Sequence, residues 1–144
     1  MSTTDGEIIA IIPAYNEARF IGDVIRTALQ YVPVVVIDDG STDGTGAAAA
    51  MAGAKVVAHV QNQGKGKALL TGFDYAVGRK VDAAITLDAD GQHDPHEIPL
   101  FIDAFRAGEG DIIIGKRQYS QMPAKSQIGN RVGSFLLRLA MGRP

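Results

Sequence analysis

Short apolar runs recur along this chain, each followed by a polar or glycine-rich break and then by a longer stretch with helical spacing. The runs fall at Glu7–Ile12, Pro33–Ile37, Lys55–Val60, Asp82–Leu87 and Asp111–Ile114. They are rich in Val, Ile or Ala and mostly continuous rather than alternating, as in strands buried on both faces. Between them the pattern predicts helices near Ala18–Gln30, Thr42–Ala52, Lys65–Val77 and Pro95–Ala107. Pro95 suits a first helical turn, and Asp94 is placed to cap it. Gln118–Gln127 is polar and reads as a loop. Ile128–Met141 is expected to form a last helix, with Val132, Phe135, Leu136, Leu139 and Ala140 on one side. Strand and helix in alternation predict an α/β fold: a doubly wound, mostly parallel sheet with helices on both faces.

The 144 residues fit one domain, with no internal repeat or low-complexity linker to divide them. There is no cysteine, which removes disulfide frameworks, thiolate metal sites and cysteine nucleophiles together. The 14 basic and 16 acidic residues are mixed along the chain, and no basic block marks a nucleic-acid surface. The first residues lack the features of a signal peptide. No apolar run reaches the roughly 18 residues that span a bilayer. A soluble domain is therefore expected, and the lack of cysteine is compatible with a cytoplasmic one.

Open parallel sheets bind ligands at the carboxyl ends of their strands, and the unusual residues collect there. Pro13-Ala14-Tyr15-Asn16-Glu17 follows the first predicted strand, and Asp38-Asp39-Gly40-Ser41-Thr42-Asp43 the second. Asn62-Gln63-Gly64-Lys65-Gly66-Lys67 follows the third, Asp88-Ala89-Asp90-Gly91-Gln92-His93-Asp94 the fourth, and Lys116-Arg117 the fifth. Asp88, Asp90 and Gln92 offer oxygen ligands as the chain leaves a buried strand, which suits Mg²⁺ or Mn²⁺ bridging a diphosphate. A solvated acidic turn explains the same residues equally simply, since two aspartates one residue apart are common. An EF-hand fails, because its sixth and twelfth positions counted from Asp88 are His93 and Pro99. Neither a P-loop nor a dinucleotide fingerprint occurs. His93 and His96 lack a third imidazole and read as surface or capping residues, and His59 has no evident serine partner. Asp38, Asp39 and Asp43 serve either as turn residues around Gly40 or, at a strand end, as acceptors for a base or ribose. Lys65, Lys67, Lys116 and Arg117 supply the cations a phosphorylated ligand requires.

Four segments together, IPAYNE (Ile12–Glu17), VIDDGSTDGT (Val36–Thr45), NQGKGKA (Asn62–Ala68) and LDADGQHDP (Leu87–Pro95), resemble the GT-A-fold family-2 glycosyltransferases in order and spacing. The likeness is greatest to the dolichyl-phosphate mannose and polyprenyl-phosphate glucose synthase group, strongly from Ile8 to about Arg117 and loosely beyond. It implies a Rossmann-like nucleotide-sugar-binding domain and an inverting transfer of a hexose from a GDP-mannose or UDP-glucose type of donor to polyprenyl or dolichyl phosphate. By position, Pro13, Ala14, Tyr15, Glu17, Ile37 and Asp39 are implied to line the nucleoside pocket, with Lys67 and Ala89 also on the donor. Asp88, Asp90 and Gln92 are implied to hold Mg²⁺ or Mn²⁺ and the diphosphate. Asp90 and Arg117, the latter in Gly115-Lys116-Arg117, take catalytic roles, and Arg131 meets the acceptor phosphate. The resemblance further implies an acceptor-side region beyond this chain, peripheral contact through it, and a place at the cytoplasmic face of a membrane.

Three rival readings fit parts of the sequence. One is a nucleotide-binding fragment without catalysis. Another is a haloacid-dehalogenase-type phosphatase, whose DxDG motif is echoed by Asp88-Ala89-Asp90-Gly91, although there the motif usually follows the first strand. The third, a sugar nucleotidyltransferase, would want a glycine-rich basic loop where this chain has Pro13–Glu17.

Overall fold

The computed structural model describes residues 6–115 and 135–138. Strand β1 (Ile8–Ala14) leads to helix α1 (Ile21–Ala28), β2 (Val34–Asp38) to α2 (Thr45–Met51), and β3 (Lys55–Ala58) to α3 (Lys65–Gly78). Then follow β4 (Ala83–Thr86), a 3₁₀ turn at Pro95–Glu97 running into α4 (Ile98–Arg106), β5 (Ile112–Ile114) and β6 (Phe135–Arg138). The six strands form one sheet in the order β3-β2-β1-β4-β6-β5. The first four are mutually parallel where they pair, with Ala10 opposite both Val34 and Ile85. Strand β6 is antiparallel to both neighbours, so β5 runs with the first four.

The continuous apolar runs have the reason expected of them. All seven residues of β1 are buried, because helices cover both faces. Ile8, Ala10, Ile12 and Ala14 join a core with Ile21, Val24 and Ile25 of α1, Ala49 of α2, and Ile98, Phe101 and Phe105 of α4. Ile9 and Ile11 face the other way, toward Ala68 and Ala76 of α3. Helix α3 rides close on that face: a Cβ on Gly72 would stand 2.4 Å from Ile11 Cγ2. The sheet is thus doubly wound and mostly parallel.

One expected element is corrected. Within Ile128–Met141, predicted as a helix, Phe135–Arg138 is a strand, and the flanking residues lie outside the described ones. Leu136 is fully buried in one core, while Leu137 packs against the other, the alternation of a strand rather than a helix. Its ladder partners are distant in sequence: Ala83–Ile85 on one side and Ile112–Ile114 on the other. A helix here would leave the inner edge of β4 without hydrogen-bond partners, a cost that local periodicity does not register. Helices α1 and α2 also start three residues later than the pattern suggests, because the residues before them hydrogen-bond between the two loops. Among the described residues no helix is long and apolar enough to cross a membrane.

Candidate functional site

The carboxyl ends of β1, β2 and β4 open onto a cleft of about 390 Å³. Pro13, Ala14, Tyr15 and Glu17 line it from the first loop, Asp39 from the second, and Asn62, Lys65 and Ala68 from the third loop and α3. Asp88, Ala89, Asp90 and Gln92 form the opposite wall. Tyr15 is exposed beside buried Pro13 and Ala14, so an aromatic ring is available at the mouth for a planar ligand to stack on.

The first two loops are laced together. Asn16 N–H donates to Ser41 Oγ at 2.9 Å, and Asn16 Oδ1 accepts from Thr42 N–H at 2.9 Å. Glu17 N–H donates to Thr45 Oγ1 at 2.9 Å. Asp43 takes Ala18 N–H at 3.2 Å and Thr45 N–H at 3.0 Å, together with the Thr45 hydroxyl. These bonds occupy Asn16–Ala18 and Thr42–Asp43, which is why α1 and α2 begin beyond them. They also hold the Asp43 carboxyl below its ordinary range, the Thr45 hydroxyl bond contributing most. Asp38 likewise serves the turn, accepting from Ser41 N–H at 3.1 Å.

Asp39 ties the second loop to the third. It is 2% exposed. Its Oδ1 accepts from Gln63 N–H at 2.8 Å and lies 2.7 Å from His59 Nδ1, while Oδ2 accepts from Gly64 N–H at 2.9 Å. Burial pushes this carboxyl up, but the bonds from His59, Gln63 and Gly64 outweigh it and the net shift is downward. Gly40, next in sequence, has φ +74° and sits against the backbone of Gln61 and Asn62. The turn and the third loop therefore touch main chain to main chain, an approach that only glycine permits.

The opposite wall is crowded with negative charge. Asp88 Oδ1 accepts from Lys65 Nζ at 2.6 Å, and Asp90 Oδ1 from Gln92 N–H at 2.9 Å. Across the cleft, burial first, and then the nearby charges of Asp90, Asp43 and Asp88, raise the Glu17 carboxyl above its ordinary value. His93 is buried, and its Nδ1 accepts from Asp88 N–H at 3.0 Å. Its Nε2 lies 3.4 Å from Asp88 Oδ2, so the ring clasps the aspartate it follows. His96 is exposed and lies 2.9 Å from Asp94 Oδ1. The hard oxygens of Asp88, Asp90 and Gln92 and the surplus negative charge both suit Mg²⁺ or Mn²⁺. Among the described residues, no group of three or more His, Asp or Glu converges into a complete metal site.

Residues 9–137 match the family model described as Glycosyl transferase family 2. The chain belongs to that family. The UDP-N-acetylglucosamine–dolichyl-phosphate N-acetylglucosaminyltransferase of Methanococcus voltae is 32% identical over 162 residues, covering 96% of this chain and 64% of that protein. The polyprenol monophosphomannose synthase of Mycolicibacterium smegmatis is 40% identical over 119 residues, covering 76% and 44% respectively. The chain thus spans less than two-thirds of either relative. A solved structure of Mycobacterium tuberculosis glucosyl-3-phosphoglycerate synthase with Mn²⁺, uridine diphosphate and glucosyl-3-phosphoglycerate is similar, at TM-score 0.70 and 23% identity. It covers 92% of this chain and 57% of that one, a likeness of fold.

Most of the residues singled out in the sequence of this family-2 domain come together in the cleft: Pro13, Ala14, Tyr15, Glu17, Asp39, Asp88, Ala89, Asp90 and Gln92. Two do not line it. Ile37 is fully buried in the core beneath, on the face that packs on α3. Lys67 is exposed on α3 but is not among the lining residues, whereas Lys65, two positions earlier, is. Arg117 and Arg131 lie outside the described residues. Asn62 and Ala68 were not picked out individually. Asn62 opens the NQGKGK segment and Ala68 directly follows it, and the available signal was that segment's polar start followed by a helical repeat. His59, which has no evident serine partner in the sequence, pairs with an aspartate twenty positions earlier.

Proposed function

We propose that this chain is the donor-binding part of an inverting glycosyltransferase that moves a hexose from a nucleotide sugar to polyprenyl or dolichyl phosphate. The observation that carries the reading is one cleft at the strand ends joining a buried acceptor, Asp39, to an oxygen-rich wall, Asp88, Asp90 and Gln92. Family membership and the named activities of the two relatives support it. The nucleoside lies against Pro13, Ala14 and Tyr15, with Asp39 accepting from the base. Lys65 takes the role that the sequence suggests for Lys67 and reaches the diphosphate from the first turn of α3. Asp88, Asp90 and Gln92 would hold Mg²⁺ or Mn²⁺, which when bound supplies Lewis-acid stabilisation of the departing nucleoside diphosphate. Arg117 supports the same phosphates, and Arg131 receives the acceptor.

Inversion requires one displacement at the anomeric carbon, through an oxocarbenium-like state of the kind met in glycoside hydrolysis. A sugar hydroxyl acceptor would need a general base. A lipid phosphate oxygen is already anionic near neutral pH, so positioning alone suffices. Such an acceptor puts the working protein at the cytoplasmic face of a membrane. A nucleotide-binding module without turnover is the second reading.

Calorimetric titration with UDP and GDP, each with and without Mn²⁺, tests the proposal. Metal-dependent binding of one nucleotide is expected. Binding of neither overturns the donor site. Binding without transfer from the matching sugar nucleotide to polyprenyl phosphate favours the second reading.

A further inference from the structure

The Asp39 carboxylate has about four acceptor positions, two on each oxygen. Three are occupied within the protein: Oδ1 by His59 and Gln63 N–H, and Oδ2 by Gly64 N–H. The carboxylate only accepts, so His59 Nδ1 is the donor in that contact. His59 is itself locked. Its backbone N–H donates to Asp38 O at 2.8 Å, and its Nε2 lies 2.9 Å from Thr71 Oγ1. Thr71 Oγ1 in turn lies within 3.1 Å of the Lys67 carbonyl in the first turn of α3. Both side chains of the pair are nearly buried, His59 at 8% and Asp39 at 3% exposed. One acceptor position, on Oδ2, is left to meet a ligand in the cleft.

We propose that His59 is a positioning residue that fixes nucleotide choice: by filling Oδ1 of Asp39 it leaves one acceptor, which selects uridine diphosphate over guanosine diphosphate. The inference rests on the reading of this cleft as a nucleotide site. The two bases differ in the edge they offer. Uracil presents a single ring N–H between two carbonyls. Guanine presents adjacent ring and exocyclic N–H groups, a pair that a carboxylate satisfies with both of its oxygens. With Oδ1 filled, guanine would hold one donor against a buried wall without a partner, and such a loss weakens binding on the order of tenfold or more.

Gln63 and Gly64 engage Asp39 through main-chain amides, which no side-chain change removes, so His59 is the adjustable member of the set. A histidine that merely fills space would not set the ratio of the two affinities, and that ratio is the informative readout.

The test is calorimetry with Mn²⁺ on three forms of the chain: natural, His59→Leu and His59→Asn. The natural chain is expected to bind UDP on the order of tenfold or more tighter than GDP. His59→Leu frees an acceptor on Oδ1, and the preference should contract to about threefold or less. His59→Asn carries a side-chain N–H near the former Nδ1 and should retain the preference. A second arm needs no variant: UDP methylated at the uracil ring nitrogen lacks the donor and should bind roughly tenfold weaker than UDP. GDP binding as tightly as UDP to the natural chain overturns the inference while leaving the nucleotide site standing. So does undiminished binding of the methylated UDP, or an unchanged UDP-to-GDP ratio in a folded His59→Leu protein. Binding of neither nucleotide removes the site itself, and the inference with it.

Discussion

Gly40 and Gly44 lie four residues apart in the same loop, both with positive φ, at +74° and +86°. They differ in surroundings. A Cβ on Gly40 would stand 2.5 Å from Asn62 N, 2.5 Å from Gln61 C and 2.8 Å from Gln61 Cα, all main-chain atoms. A Cβ on Gly44 would meet nothing within 4 Å. Alanine at either site incurs the left-handed penalty of roughly 1–2 kcal/mol, reduced by about 0.4–1 kcal/mol through the stiffer unfolded chain. Only at Gly40 is there an overlap that no side-chain rotation relieves, adding about 1–3 kcal/mol. Gly40→Ala should therefore cost about 2–4 kcal/mol and Gly44→Ala about 1 kcal/mol. For a chain of this length that is roughly 5–12 °C and 2–4 °C in Tm. Thermal melts followed by far-UV circular dichroism, with urea titrations to check that the slope is unchanged, measure both. Nucleotide titration of Gly40→Ala should also show weakened binding, since Asn62 and Lys65 line the cleft. Equal costs for the two substitutions, within about 0.5 kcal/mol, would refute the claim that the second and third loops are in direct main-chain contact.

Asp90→Ala should abolish Mn²⁺-dependent nucleotide binding while leaving Tm within about 2 °C of the natural chain; unchanged metal dependence would sink its assignment to the metal. Lys65→Met should have two opposed effects, because its ammonium is a counter-ion to Asp88: Mn²⁺ alone should bind severalfold tighter and UDP severalfold weaker by calorimetry. A fall in both affinities would mean that Lys65 does not compete with the cation. Asp39, whose folded-state value is below the ordinary 3.8, contributes stability that is fully present above that value and lost as pH falls through the lower folded one. Urea midpoints should accordingly be level from about pH 7 to 5 and drop below about pH 4. Glu17 has the opposite sign. Its value is raised above 4.5, so its contribution is present below that pH and lost as pH rises through the raised value. Glu17→Gln should then raise Tm at pH 7 in metal-free, low-salt buffer, and an unchanged or lower Tm would show that the acidic wall does not act on it.

The layering, and the gathering of the unusual residues at the strand ends, were legible in the sequence. Continuous Val and Ile runs at Ile8–Ala14 and Val34–Asp38 are tenable only where both faces of a strand are covered, and the helical stretches between them supply that cover. Strands so arranged carry ligands at their carboxyl ends, where the PAYNE, DDGSTD and DADGQ segments already stood. These are local signals, readable within one element and its flanks. What depends on pairing across the chain was not legible. Phe135–Arg138 satisfies a helical and an extended period equally well over so short a span, and the unpaired edge of β4, about fifty residues earlier, decides for a strand. Lys65 and Lys67 sit in the same motif, and only the orientation of α3 on Ile11 and Ile37 turns the first toward Asp88. Ile37 follows from the same packing: it lies within β2 and is buried in the core on the α3 side, while Asp39, one residue past the end of the strand, meets the cleft. His59 had no visible partner because its aspartate belongs to another strand end. The chain fixes which residues are available for chemistry, while tertiary packing decides which of them meet, since hydrogen-bond partners far apart in sequence are set by sheet order and helix register rather than by neighbours.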